Sequence, residues 1–200
     1  MLGRVVAVAL AGVLAYVLLI HGSGPGTIAA STVAAASEAG CADLERPVVA
    51  NPSRDHLEPG QPLSNEDPPV AAGPHDPSPL ELDRHVRAEP LDEARAVHNL
   101  EHAYVLIYHA PEAEGGPSAE TIAQLASVAE DQDRVLMAPY PGLPEGTGLA
   151  LVAWNTRWRC PGTIDAETAA EVATAFIDAY RGTTNAPEAP RGLLGPLFGS

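Results

Sequence analysis

Apolar and polar positions divide the chain into stretches of different kinds. Residues 5–20 are a nearly unbroken apolar run, interrupted only by the small Gly12 and the polar edge of Tyr16. Residues 22–39 are small and polar and read as a flexible spacer. Residues 41–92 are rich in Pro, Asp and Glu and show no period. They read as an irregular wrap with short strands such as 47–49, and disorder is the alternative for parts of it. Periodicity starts near Leu91. Residues 91–102 read as one or two helical turns, with Asp92 as cap. Residues 103–109 alternate as a strand: Tyr104, Leu106 and Tyr108 on one face, Val105, Ile107 and His109 on the other.

A capped amphipathic helix follows at 118–129, with Ile122, Leu125 and Val128 or Ala129 as its buried stripe. Residues 134–139 form a short strand, Pro141-Gly142 a turn, and 148–154 a third strand. Residues 166–181 carry the strongest helical pattern. Asp165 can cap it, Val172, Phe176 and Tyr180 form its stripe, and Gly182 can close it. The order strand, helix, strand, strand, helix predicts an α+β fold. Its sheet is small, antiparallel or mixed, with two main helices. The expected organisation is an anchor at 1–21, a linker at 22–39, an α+β domain at 40–182 and a loose tail at 183–200.

Charge and termini give this layout an address. Arg4 precedes the apolar run and no basic residue follows until Arg46. That asymmetry puts the N-terminus in the cytoplasm and the domain outside, on a single-pass cell-membrane anchor. Sixteen apolar residues also fit a signal peptide, which would leave the protein secreted. The small residues at 34–36 lie far from the run, which favours the uncleaved anchor. The net charge is −15 and the chain has no lysine. Without a basic cluster, nucleic acid and a polybasic lipid dock are excluded as partners. Outside the cytoplasm the two cysteines, Cys41 and Cys160, are most simply a disulfide, and a thiolate metal site is the rival. A loop that long would stabilise the fold by roughly 4–5 kcal/mol if unstrained.

The candidate chemistry lies in Val97-His98-Asn99-Leu100-Glu101-His102. Residues at i and i+4 share a helix face, so His98 and His102 can hold a divalent ion from one side. A third ligand can come from His75, which follows a rigid Gly73-Pro74 pair. His56 is a possible fourth, and Glu101 a further ligand or supporting carboxylate. With the cysteines oxidised, the donors left are imidazole and carboxylate. That set suits zinc, copper(II) or iron(II) and not copper(I). The only methionines are Met1 and Met137, which excludes a Met-rich copper carrier. The plain alternative is that each histidine caps a turn or hydrogen-bonds a carboxylate. His85 and His109 read as structural. Trp154, Trp158, Tyr140 and Phe176 read as core. The segment also fits H-x-x-E-H, in which Glu101 would activate water in a hydrolase. A short helix running straight into a strand, in a small chain, argues against that enzyme.

Several segments carry a family resemblance. In order they are Gly40-Cys41, His56, Pro68-Pro69, Gly73-Pro74-His75, the 97–102 motif, Pro139-Tyr140-Pro141-Gly142 and Ala153-Trp154. Together they resemble a bacterial family of exported or membrane-anchored proteins, domain of unknown function 3105, over roughly residues 40–188. PPxxGPH and VHxLEH are the most specific parts. The family has no established activity. The resemblance implies an exported protein and singles out His56, His75, His98, Glu101 and His102. This chain departs from the pattern at Ala103, where the family usually has Gly. It also lacks the aromatic-rich stretch usual after GPH. The expectation is therefore a membrane-tethered extracytoplasmic domain that binds one copper or zinc ion through a histidine cluster. A partner-binding envelope module without metal, and a metal-dependent hydrolase, are the alternatives.

Overall fold

The alternation at 105–109 sends successive side chains to opposite sides of a sheet. The computed structural model describes residues 26–64, 67–81 and 83–190. In it this segment is β1 (Val105–His109), an inner strand of a four-stranded sheet. β2 (Val135–Pro139) pairs with it in parallel and β3 (Leu149–Ala153) antiparallel. β4 (Thr156–Cys160) pairs antiparallel with β3, so the sheet is mixed, in the order β2-β1-β3-β4. β4 is absent from the expected elements. It alternates Thr156, Trp158 and Cys160 with Arg157 and Arg159, and charge on the second face reads as solvent. Here that face is covered, and Arg157 is 1% exposed. Asn155, at φ 54°, supplies the turn between β3 and β4.

Among the described residues four α-helices accompany the sheet, against the two main helices expected. α1 is Ala30–Glu38, α2 Glu93–Glu101, α3 Ala119–Glu130 and α4 Ala166–Tyr180. The side chains of Asp92, Ser118 and Asp165 each accept a hydrogen bond from the N–H three residues on, as their positions predict. α1 replaces part of the expected spacer. Its Ala36 is fully buried and its Thr32 hydroxyl donates to Glu171 of α4 at 3.0 Å. Small residues let α1 lie close to α4, an attraction that composition alone does not display. No described helix is long and apolar enough to cross a membrane. The 5–20 run lies outside the described residues.

The two sheet faces bury different partners. Val105, Ile107, Val135, Met137, Leu149, Leu151 and Trp158 face a core shared with Leu125, Val172, Phe176 and Ile177 of α3 and α4. Leu106, Tyr108, Leu136, Ala138, Ala150 and Val152 face Val97 and Leu100 of α2 and the wrap residues Ala71 and Ala72. Val128 and Ile122 are only partly buried, and Leu125 and Ala129 carry the α3 stripe.

The wrap also closes both sheet edges, where unpaired N–H and C=O groups would otherwise be exposed. Ala42 and Glu45 run beside β4: the Ala42 and Glu45 N–H groups donate to the Arg159 and Arg157 carbonyls, each at 2.9 Å. At the other edge the Arg87 N–H donates to the Met137 carbonyl, and the Met137 N–H to that of His85. Residues 47–49 form no strand and are held by hydrogen bonds to Asn155. A Cys41–Cys160 disulfide joins the end of α1 to β4. The Trp158 indole N–H donates to the Ala42 carbonyl beside it. The tail is packed at its start rather than loose. Ala186 is 5% exposed, the Asn185 amide donates to the Trp154 carbonyl, and the Glu188 N–H donates to that of Glu101.

Candidate metal centre

The centre is assembled from two irregular segments and one short helix. His56 and His75 sit side by side in an isolated parallel bridge. The His75 N–H donates to the Asp55 carbonyl at 3.1 Å and the Leu57 N–H to the His75 carbonyl at 2.8 Å. Gly73, at φ 129°, turns the chain just before His75, and a β-carbon there would meet nothing. Conformation rather than space therefore asks for glycine at this point. α2 packs beneath: the Asp76 N–H donates to the Ala94 carbonyl at 3.2 Å. The Asp76 carboxylate accepts from the Ser78 N–H and more weakly from that of Gly60. Those bonds, the Ser78 one first, hold its carboxyl below the usual carboxylate range. They also fasten the His56 side of the wrap to the His75 side.

The outcome is a cluster of imidazoles. One ring nitrogen each from His56, His75 and His98 lies within 4.8 Å of the others. His75 is fully buried and His98 is 7% exposed, while His56 is exposed. The Nδ1 of His75 lies 2.9 Å from the Gly73 carbonyl, and that of His98 lies 2.7 Å from the Asp76 carbonyl. A carbonyl only accepts, so each Nδ1 carries the hydrogen. The lone pair of each ring is thereby placed on Nε2. Backbone carbonyls that fix the tautomer in this way are the ordinary support of metal-ligating histidines. The His75 Nε2 is buried and has no hydrogen-bond partner among the described residues. Glu101 Oε2 lies 3.1 Å away, at ion-pair distance but outside hydrogen-bond geometry. A buried acceptor nitrogen left bare in this way is costly, and an ion would satisfy it.

The grouping differs from the expected one. His75 and His98 come together, but the third member is His56 rather than His102. His102 stacks on His98 with ring centroids 4.9 Å apart and its Nε2 3.0 Å from the His98 Nε2. Its side chain is 37% exposed, and its Nδ1 faces Glu188 Oε2 at 3.6 Å. α2 ends at Glu101 and His102 is its C-cap, which carries His102 to the rim of the cluster. Glu101 is 3% exposed and adjoins His75. His85 and His109 lie elsewhere, each against a backbone carbonyl. Trp154 packs edge-on to His75 at 6.0 Å and gives the cluster an apolar wall.

Two residues that support the site had no signal as functional residues in the sequence. Asn99 is 2% exposed; its Oδ1 accepts from the Leu80 N–H at 2.8 Å and fastens the wrap to α2. Arg157 reaches from β4 to the Asp67 and Pro69 carbonyls and to the Glu45 and Asp67 carboxylates. It pins the segment that leads into GPH. A buried charge with this many acceptors is paired, as it must be. Arg159 reaches Asp67 as well. Burial pushes the Asp67 carboxyl up, but its bonds to Arg157 and Arg159 outweigh that and hold it below the usual range.

No curated protein and no solved structure matches the chain. Residues 56–192 match a family described as "Protein of unknown function (DUF3105)". The matched span begins at His56 and takes in every residue of the cluster, His102 and Glu188 included. As it covers more than half of the chain, the protein belongs to the DUF3105 family.

Proposed function

We propose that the protein is a membrane-tethered, extracytoplasmic domain that binds one transition-metal ion, zinc or copper, through His56, His75 and His98. The carrying observation is the pair of buried imidazoles whose Nδ1–H groups are held by backbone carbonyls beside a third imidazole. A set of nitrogens with no free thiol suits zinc or copper(II). Glu101 adjoins His75 and balances the charge of the ion. The apolar run at 5–20 supplies the tether, and a Cys41–Cys160 disulfide suits an oxidising compartment.

The full chain, purified in detergent without a histidine tag, tests this. Elemental analysis and titration with zinc and copper should give one ion per chain. His98→Ala should abolish uptake and leave the circular dichroism spectrum intact, since the two hydrogen bonds it removes are worth about 2 kcal/mol together. Equal uptake by the two proteins contradicts the proposal.

A second reading has one observation in its favour. A protonated His75 would face the Glu101 carboxylate at 3.1 Å, as a buried ion pair in a partner-binding module without metal would. The hydrolase reading gains no such support. It wants Glu101 facing substrate, and Glu101 is buried with its oxygen turned to His75.

A further inference from the structure

His56, His98 and His102 form a column. The His56 and His98 rings stack at 5.5 Å and 11°, and the His98 and His102 rings at 4.9 Å and 25°. His98 is thus the middle ring of three. It meets the buried His75 edge-on at 5.0 Å and also lies against the half-exposed His102. Its Nδ1 is occupied by the Asp76 carbonyl, so Nε2 is its one nitrogen available for an ion. That atom lies 3.0 Å from the His102 Nε2. With the His98 hydrogen on Nδ1, that contact is a hydrogen bond donated by the His102 Nε2–H, and an ion held there would replace its hydrogen, which the His102 Nδ1 can carry facing Glu188 at 3.6 Å. Beyond His102 a cavity of about 270 Å³ is lined by Tyr104, Arg134, Asn99 and Glu188. The Glu188 N–H bond to the Glu101 carbonyl holds that carboxylate near His102.

We infer that His102 and Glu188 form a port through which the ion enters and leaves, with His98 as the ligand common to the port and the inner site. This rests on the metal reading above. His98 has one lone pair to give, so the ion occupies either position and not both. Among the described residues, the three-ligand group is His56, His75 and His98, and the outer pair does not extend to such a group. The port therefore binds weakly and the inner set binds firmly. On entry the ion is held by His102 and His98. The His102 bond then breaks as bonds to His75 and His56 form, and the His98 bond persists. No electron moves. Water that came in with the ion leaves by the cavity.

The test uses the full chain, zinc as probe and a chelating competitor in stopped flow. His102→Ala should keep one zinc per chain, with affinity within about threefold, while uptake and chelator-driven release both slow by about tenfold. His102→Gln keeps most of the side-chain bulk and should behave likewise, which separates lost ligation from lost packing. Glu188→Gln should slow exchange less. The copper(II) electron paramagnetic spectrum of the loaded protein should be the same with and without His102. Unchanged exchange rates overturn the port. A changed spectrum or lost stoichiometry also overturns it, because His102 would then be a resident ligand. Failure of the unaltered chain to bind any ion contradicts the metal reading itself and removes the port with it.

Discussion

The two faces of the sheet are closed by opposite means. One is covered by α3 and α4, which meet it through Leu125, Val172, Phe176 and Ile177, all 1% exposed or less. The other is covered by one short helix and a long irregular wrap. There Val97, Leu100, Ala71 and Ala72 meet the sheet, and Arg157, Asn99, Asp76 and the histidines fasten the wrap around them. Apolar burial is non-directional and tolerates small changes of shape, so it stabilises without specifying a site. Buried polar groups must each find a partner at a set distance, so they specify positions. The helical face supplies the stability that lets the polar face hold a bare His75 nitrogen in its interior.

This contrast breaks if damage to the two faces has the same consequences. The largest expected effect is on the apolar face. Phe176→Ala should cost about 3–5 kcal/mol by urea unfolding, from lost burial and a residual cavity. Its folded fraction should bind metal with unchanged affinity, and weakened binding would show that the faces are not separable. On the polar face, Arg157→Ala should cost about 3 kcal/mol. That is the lower end for a broken buried ion pair, since Glu45 and Asp67 keep part of their water. Here metal affinity should fall along with stability, because the segment leading to His75 is freed. Loss of stability with intact affinity would show that the wrap does not depend on Arg157.

A smaller effect is a slope with pH. Burial holds the His109 imidazole below the usual histidine range of 6.5, opposed in part by the Ala110 carbonyl. The unfolded chain then binds the proton more readily than the folded one. This share of stability is whole above pH 6.5 and is lost as pH falls from there toward the folded value. His109→Gln should flatten that part of the stability curve of the metal-free protein, and an unchanged slope contradicts the account. The smallest effect concerns Ala103, which is buried at φ 66° immediately after the motif. A left-handed backbone is strained for Ala and open to Gly. Ala103→Gly should therefore raise stability by less than about 1 kcal/mol, the loss of one buried methyl offsetting most of the relief. A clear loss of stability would show that the methyl outweighs the strain.

Local signals carried much of this structure and long-range ones did not. The caps Asp92, Ser118 and Asp165, the alternation of β1 and the Cys41–Cys160 pairing are properties of neighbouring residues or of simple counting. β4 went unread because Arg157 and Arg159 look solvent-facing until the wrap lies over them. α1 went unread because a run of Ala and Ser has no moment, and its reason to be a helix is α4. The exchange of His56 for His102 has the same origin. The i, i+4 spacing places His98 and His102 on one face, but the end of α2 lifts His102 to the rim. His56, a possible fourth ligand from the sequence, becomes the third through its backbone bridge to His75.

X-ray absorption of the zinc-loaded full chain, at one ion per chain, tests the central claim most directly. The account predicts zinc bound by three imidazole nitrogens with no sulfur, and a chain of His75→Ala that retains no ion. A sulfur-containing or all-oxygen shell, or zinc retained unchanged without His75, would contradict it.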